Sequence, residues 1–196
     1  MSTSLKLTAG KYDTMVARGA FDDLIQKIEL INGEIQAMDP AGPVHDDLVE
    51  FLTQWSVRNT DPERIRVRIQ SGPNLPEFNS RPEPDIAWVK ARRYLDRHPV
   101  STDVELLIEV SYSSLKSDQQ DKEALYAQAG IIEYWIIDIE HELIHVHRDP
   151  EDGQFTSIVT ISSNESITPL AQPDAILFPS SLFDLDSQVL GTDDNV

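Results

Sequence analysis

A chain of 196 residues with 40% hydrophobic content can bury one proper core, and it fits a single domain. It has no cysteine, which excludes a disulfide framework and thiolate metal sites, and its net charge of −18 argues against a general nucleic-acid binder. No apolar run approaches the roughly 18 residues that span a bilayer, and the opening MSTSLKLTAGKYDT lacks the apolar centre of a signal peptide, so a cytoplasmic location away from membranes is expected.

Residues 1–11 read as a flexible lead-in. From Asp13, DTMVARGAFDDLIQ has loosely helical spacing interrupted by Gly19, which predicts a short helix or two pieces. KIELINGEIQAM predicts a hairpin turning at Asn32-Gly33, the strongest two-residue turn signal, with Glu29 and Glu34 on its arms. VHDDLVEFLTQWSVRN predicts an amphipathic helix that buries Leu48, Phe51, Leu52 and Trp55. RIRVRIQ alternates strictly, with Ile65, Val67 and Ile69 on one face and Arg64, Arg66 and Arg68 on the other. That arginine face is either a solvated outer surface or a row of phosphate contacts.

The loop SGPNLPEFNSRPEP is long enough to be mobile or functional. DIAWV follows as a short strand, then a charged connection with a helical turn at its start. In VELLIEVS, alternation puts Val104, Leu106, Ile108 and Val110 toward the core and Glu105, Leu107, Glu109 and Ser111 on the other face. SSLKSDQQDKEALYAQAG predicts a helix with a capping box at Ser117 and Gln120 and a C-terminal Gly130. IIEYWIID, HELIHVHRD and FTSIVTI are three further strands, with His145 and His147 on one strand face as exposed histidines or, with His141 nearby, as metal ligands short of a full zinc set. A loop with a short apolar closing segment follows, and residues 189–196 form an acidic tail expected to be disordered. The order implies an α/β (α+β) layer protein with a mixed sheet, in which the strands around the helix at 116–130 run parallel.

Eleven of the sixteen Lys and Arg residues lie between Arg58 and Lys122, which makes the middle locally basic in an acidic chain. The same region holds the candidate chemistry. Asp85 stands at the mouth of one apolar strand, as a turn residue or as a ligand. Glu109 lies near the end of the next, nearly all-apolar strand, where a buried carboxylate needs a cation or a basic partner. Lys122 shares a helix face with Asp118, Leu125, Tyr126 and Ala129, so it either pairs with Asp118 on the surface or reaches Glu109. Two carboxylates and a lysine can hold a divalent cation beside a phosphate.

The ordered set PD with IAWV, then ELLIEVS with Ser113 and Ser114, then QQDK with EALYAQAGIIEYWIID resembles the Uma2 family of restriction-endonuclease-like proteins, within the PD-(D/E)XK nuclease superfamily. KIELINGEIQAM and FPSSLFDL resemble it too, so the similarity spans roughly residues 12–188, read as one domain. The resemblance implies a restriction-endonuclease-like fold, a mixed central β-sheet flanked by helices. It implies DNA as substrate, Mg²⁺ (or Mn²⁺) as cofactor, and hydrolysis leaving a 5′-phosphate and a 3′-hydroxyl. Asp85, Glu109 and the Val110 carbonyl match metal ligands, and Lys122 matches a lysine on the following helix. Ser111 stands where the superfamily pattern has its lysine. Glu29 and His45 match a family Glu and His. A homodimer suits the cutting of both strands of a duplex. The alternative from another class is a nuclease-fold protein that no longer cuts and serves as a DNA-binding or protein-interaction module.

Overall fold

A computed structural model describes residues 5–38, 40–111 and 116–183, with the backbone alone for 116–119. The acidic tail at 189–196 lies outside the described residues. In chain order the elements are α1 (Ala9–Ala17), β1 (Ile28–Ile31), β2 (Glu34–Ala37), α2 (Pro43–Asn59), β3 (Ile65–Ile69), β4 (Ile86–Lys90), β5 (Val104–Ser111), α3 (Lys116–Gln128), β6 (Glu133–Asp138), β7 (Leu143–Glu151), β8 (Gln154–Ile161) and α4 (Pro179–Phe183). Six strands form one mixed sheet in the order β3-β4-β5-β6-β7-β8. Only β5 and β6 are parallel, joined across α3 as expected. None of the described helices is long and apolar enough to cross a membrane.

The two sheet faces carry separate cores. On one, Trp88, Leu106, Ile108, Trp135 and Ile137 pack against Leu48, Leu52 and Trp55 of α2 and against Leu177 and Leu182 of the closing segment. The three tryptophans pack together there, Trp55 stacked on Trp88 at 5.6 Å and tilted against Trp135 at 6.2 Å, so they serve the core. On the other face, Ala87, Val89, Leu107, Tyr134 and Ile136 pack against Leu125 and Tyr126 of α3. A small third cluster joins Ala9 and Tyr12 of α1 to Leu30 of the hairpin.

Local chemistry sets the boundaries. The Asn32-Gly33 turn has positive φ at both residues (51° and 82°), the conformation that matches strand twist in a two-residue hairpin. A Cβ at Gly33 would stand 2.7 Å from Lys6 Cβ, so only glycine fits. After α3, Gly130 (φ 73°) closes a Schellman cap: Ile131 N donates to Tyr126 O and Gly130 N to Ala127 O. The expected Ser117 capping box involves side chains outside the described residues.

Several expectations are corrected. Helix α1 starts at Ala9, not near Asp13, because Thr8 caps it by accepting a hydrogen bond from Lys11 N. Val104 joins the α3 face, not the α2 face: the pairing shifts from Trp88↔Leu106 to Val89↔Val104, and the extra residue, Glu105, is a bulge that reverses the alternation. The helical turn in the 91–103 connection comes at its end, Ser101–Asp103, not its start. His147 is 5% exposed and packs on Tyr134 and Phe155, so it is a core residue. The 71–84 loop is pinned: the Arg81 guanidinium donates to the Gly72 and Pro73 carbonyls and meets Asp13 at 3.2 Å.

Candidate active site

The site forms where β4 begins and β5 ends. Ile86 pairs with Ile108, so Asp85 and Glu109 stand opposite each other one step further along the antiparallel ladder. Opposed same-face side chains in such a pair have Cβ atoms about 5 Å apart, and like charges there repel. Both are buried, at 4% and 8% exposure. Asp85 is fixed by the sheet itself, its Oδ2 accepting from Val110 N at 2.9 Å.

Lys122 arrives from α3. Its position one turn before Tyr126 places both on the face that packs on the sheet. Its Nζ donates to Glu109 Oε1 at 3.0 Å and pairs with Glu29 Oε1 of β1 at 2.9 Å. Glu29 is itself held, with Oε2 accepting from Glu83 N. The Tyr126 hydroxyl donates to Glu109 Oε1 at 3.3 Å. His45, in the first turn of α2, brings Nε2 to 3.3 Å from Asp85 Oδ2.

Burial dominates the electrostatics. It pushes the Glu109 carboxyl up to about 7 against the pull of Lys122, and Asp85 and Glu29 add to the rise. Burial alone would pull Lys122 down, but Glu109 and Glu29 outweigh it and hold the ammonium well above its usual range. The short contacts of Nζ with Glu109 and Glu29 favour a charged Lys122, facing a Glu109 carboxyl whose proton affinity burial has raised. The hydrogen bond with Asp85 raises His45, with burial opposing it.

These residues line a cavity of about 750 Å³. Gln70, Val110, Ser111 and Tyr134 line it as well, and Ile25, Ala37, Met38 and Pro40 form an apolar side. Among the described residues no three His, Asp or Glu side chains converge as a cage for a metal. A magnesium ion does not need one. It keeps several waters and takes one or two carboxylates, and Asp85 and Glu109 offer that donor set. One buried polar atom of the lining, Tyr134 OH, has no hydrogen-bond partner among the described residues and suits a water of a hydrated cation.

Asp85, Glu109, Lys122, Glu29 and His45 thus surround one pocket. Arg64, Arg66 and Arg68 do not reach it; they follow edge strand β3. Sequence reasoning took Tyr126 only for packing and missed its hydroxyl contact. Its i+4 spacing from Lys122 was the available signal.

This chain is similar to a solved structure, a crystal structure of a "putative nuclease belonging to DUF820" from Anabaena variabilis ATCC 29413, with a TM-score of 0.72 over 91% of this chain and 98% of that one, at 14% identity. At that identity the likeness shows a shared fold. Nothing among the curated proteins matches the chain. The model of the family Uma2, described as "Putative restriction endonuclease", matches residues 18–178, and the chain belongs to that family.

Proposed function

We propose that the protein is a magnesium-dependent endonuclease that hydrolyses phosphodiester bonds of DNA in the Asp85–Glu109–Lys122 pocket. The observation that carries the reading is the convergence of two opposed, buried carboxylates and a charged lysine at one cavity. Family membership supports it.

Asp85 and Glu109 would hold the ion, with the Val110 carbonyl as a further candidate ligand. When bound, magnesium supplies Lewis acidity toward a phosphoryl oxygen and a more acidic water. The chain's own residues do the rest. Val110 N and His45 fix Asp85 from two sides. Tyr126 orients Glu109. Lys122, bonded to Glu109 and Glu29 at once, offers its ammonium to the charge that develops on the phosphoryl oxygens. Glu29 holds that ammonium ready, which accounts for a lysine delivered by α3 in place of one at Ser111.

Ser111 itself favours a second reading, an inactive nuclease fold that binds DNA or a protein. A plasmid-nicking assay separates the two. The nuclease reading expects nicking with Mg²⁺ or Mn²⁺ and none in EDTA. DNA bound but uncut across metals and substrates selects the second reading.

A further inference from the structure

We propose that the β3 edge is a track for a single, unpaired strand of nucleic acid, held through its phosphates and led toward the pocket. This rests on the nuclease reading only for the direction of the track, and it can stand or fall separately.

Arg66 and Arg68 pair across β3–β4 with Val89 and Ala87, whose side chains belong to the α3-side core. The two arginines therefore share the sheet face of Asp85 and lie on its open edge. Two residues past Arg68, Gln70 lines the pocket and donates its N–H to Asp85 O. Successive same-face strand residues are about 6.7 Å apart, so Arg66 and Arg68 of β3 make a line toward the site, and Arg64 stands in the turn just before the strand.

Tyr94, from the connection after β4, closes over this edge. The guanidinium carbons of Arg68, Arg92 and Arg97 lie 5.7, 5.0 and 5.8 Å from its ring centre. Arg92 and Arg97 are balanced by Asp96 and Asp103. Arg64, Arg66, Arg68 and Arg93 form no ion pair with the described residues, and Ser71 holds Arg68 in place. Burial and the nearby Arg81 already disfavour the charge on Arg68.

Unpaired, crowded arginines are unexpected in a chain with 34 acidic and 16 basic residues. An external row of anions would resolve the crowding. Residues 64–97 hold eight of the sixteen bases and only four of the 34 acids; Arg81 is buried against Asp13, and the other seven make this stretch a basic track in an acidic chain. A single strand fits such a track. A duplex would bring a second row of phosphates onto acidic surface.

Fluorescence anisotropy of the full chain in EDTA, with a labelled oligothymidine and a duplex of equal length, tests the assignment. The single strand should bind about tenfold more tightly than the duplex. The double variant Arg66→Gln/Arg68→Gln should weaken binding at least about fivefold and lower the salt slope of log K by roughly 0.7 per arginine removed. Arg66→Lys/Arg68→Lys should keep the slope, and matched thermal melting shows that the variants are folded. Equal or tighter duplex binding, or a double glutamine variant with unchanged affinity and slope, overturns the proposal. Loss of cleavage alone, with the track intact, overturns the nuclease reading and leaves this one.

Discussion

Lys122 sits between two buried carboxylates, so its removal isolates both Glu109 and Glu29. Breaking a buried pair from one side typically costs about 3–5 kcal/mol. Lys122→Met should therefore destabilise the fold by that order in urea unfolding; an unchanged midpoint would mean the ammonium carries no structural weight. His45 offers a pH readout. Asp85 raises its pKa above 6.5, so the protonated form is favoured by the fold. The stability it adds is fully present below 6.5 and fades as pH rises through the native value. The Glu109 contribution has the same sign, present below 4.5 and lost as pH rises through about 7. An NMR titration of metal-free protein should give His45 a midpoint above 6.5 that falls in Asp85→Asn; the same midpoint in both proteins rules out the pair. Asp85, Glu109 and Lys122 were singled out in the sequence by their joint order in a family-like run, with Glu109 alone breaking an apolar pattern. The approach of His45 to Asp85 was not, since no local rule relates residues 40 positions apart.

At the scale of elements, the local signals were read well where one short motif decides the geometry. Asn32-Gly33, the α2 stripe and Gly130 are such motifs. The Gly130 cap stands in open space, so Gly130→Ala meets no clash and suffers only the left-handed backbone. It should cost about 1 kcal/mol in thermal or urea unfolding, and a neutral effect would show that the cap is not needed to end α3. The bulge at Glu105 was illegible because it depends on the partner strand, and alternation alone assigned Val104 to the wrong face. The 71–84 loop reads as mobile or functional from its length. What pins it is Arg81 reaching Asp13 and His98, which are far away in sequence.

For the whole molecule, two cores on opposite sheet faces hold the carboxylate pair at the sheet's end, where the strands can supply opposed acids and α3 can supply the lysine. The same two-sided burial creates an acid sensitivity. Burial, with a smaller effect from His145, pulls the His147 imidazole down to about 4. Its neutral form is favoured by the fold, so the stability it contributes is present above 6.5 and lost as pH falls through about 4. His147→Phe should flatten the fall in melting temperature between those values, whereas an unchanged acid profile would place the sensitivity elsewhere. The family and the mixed sheet were both legible, because the ordered run from Asp85 to Asp138 spans the strands and helix that build the site. The central claim is that this site cuts DNA. The measurement that tests it most directly is the Mg²⁺-dependent cleavage rate of the wild type against Asp85→Asn, both shown to be folded. The account predicts a loss of at least about a hundredfold in the variant; equal rates would contradict it.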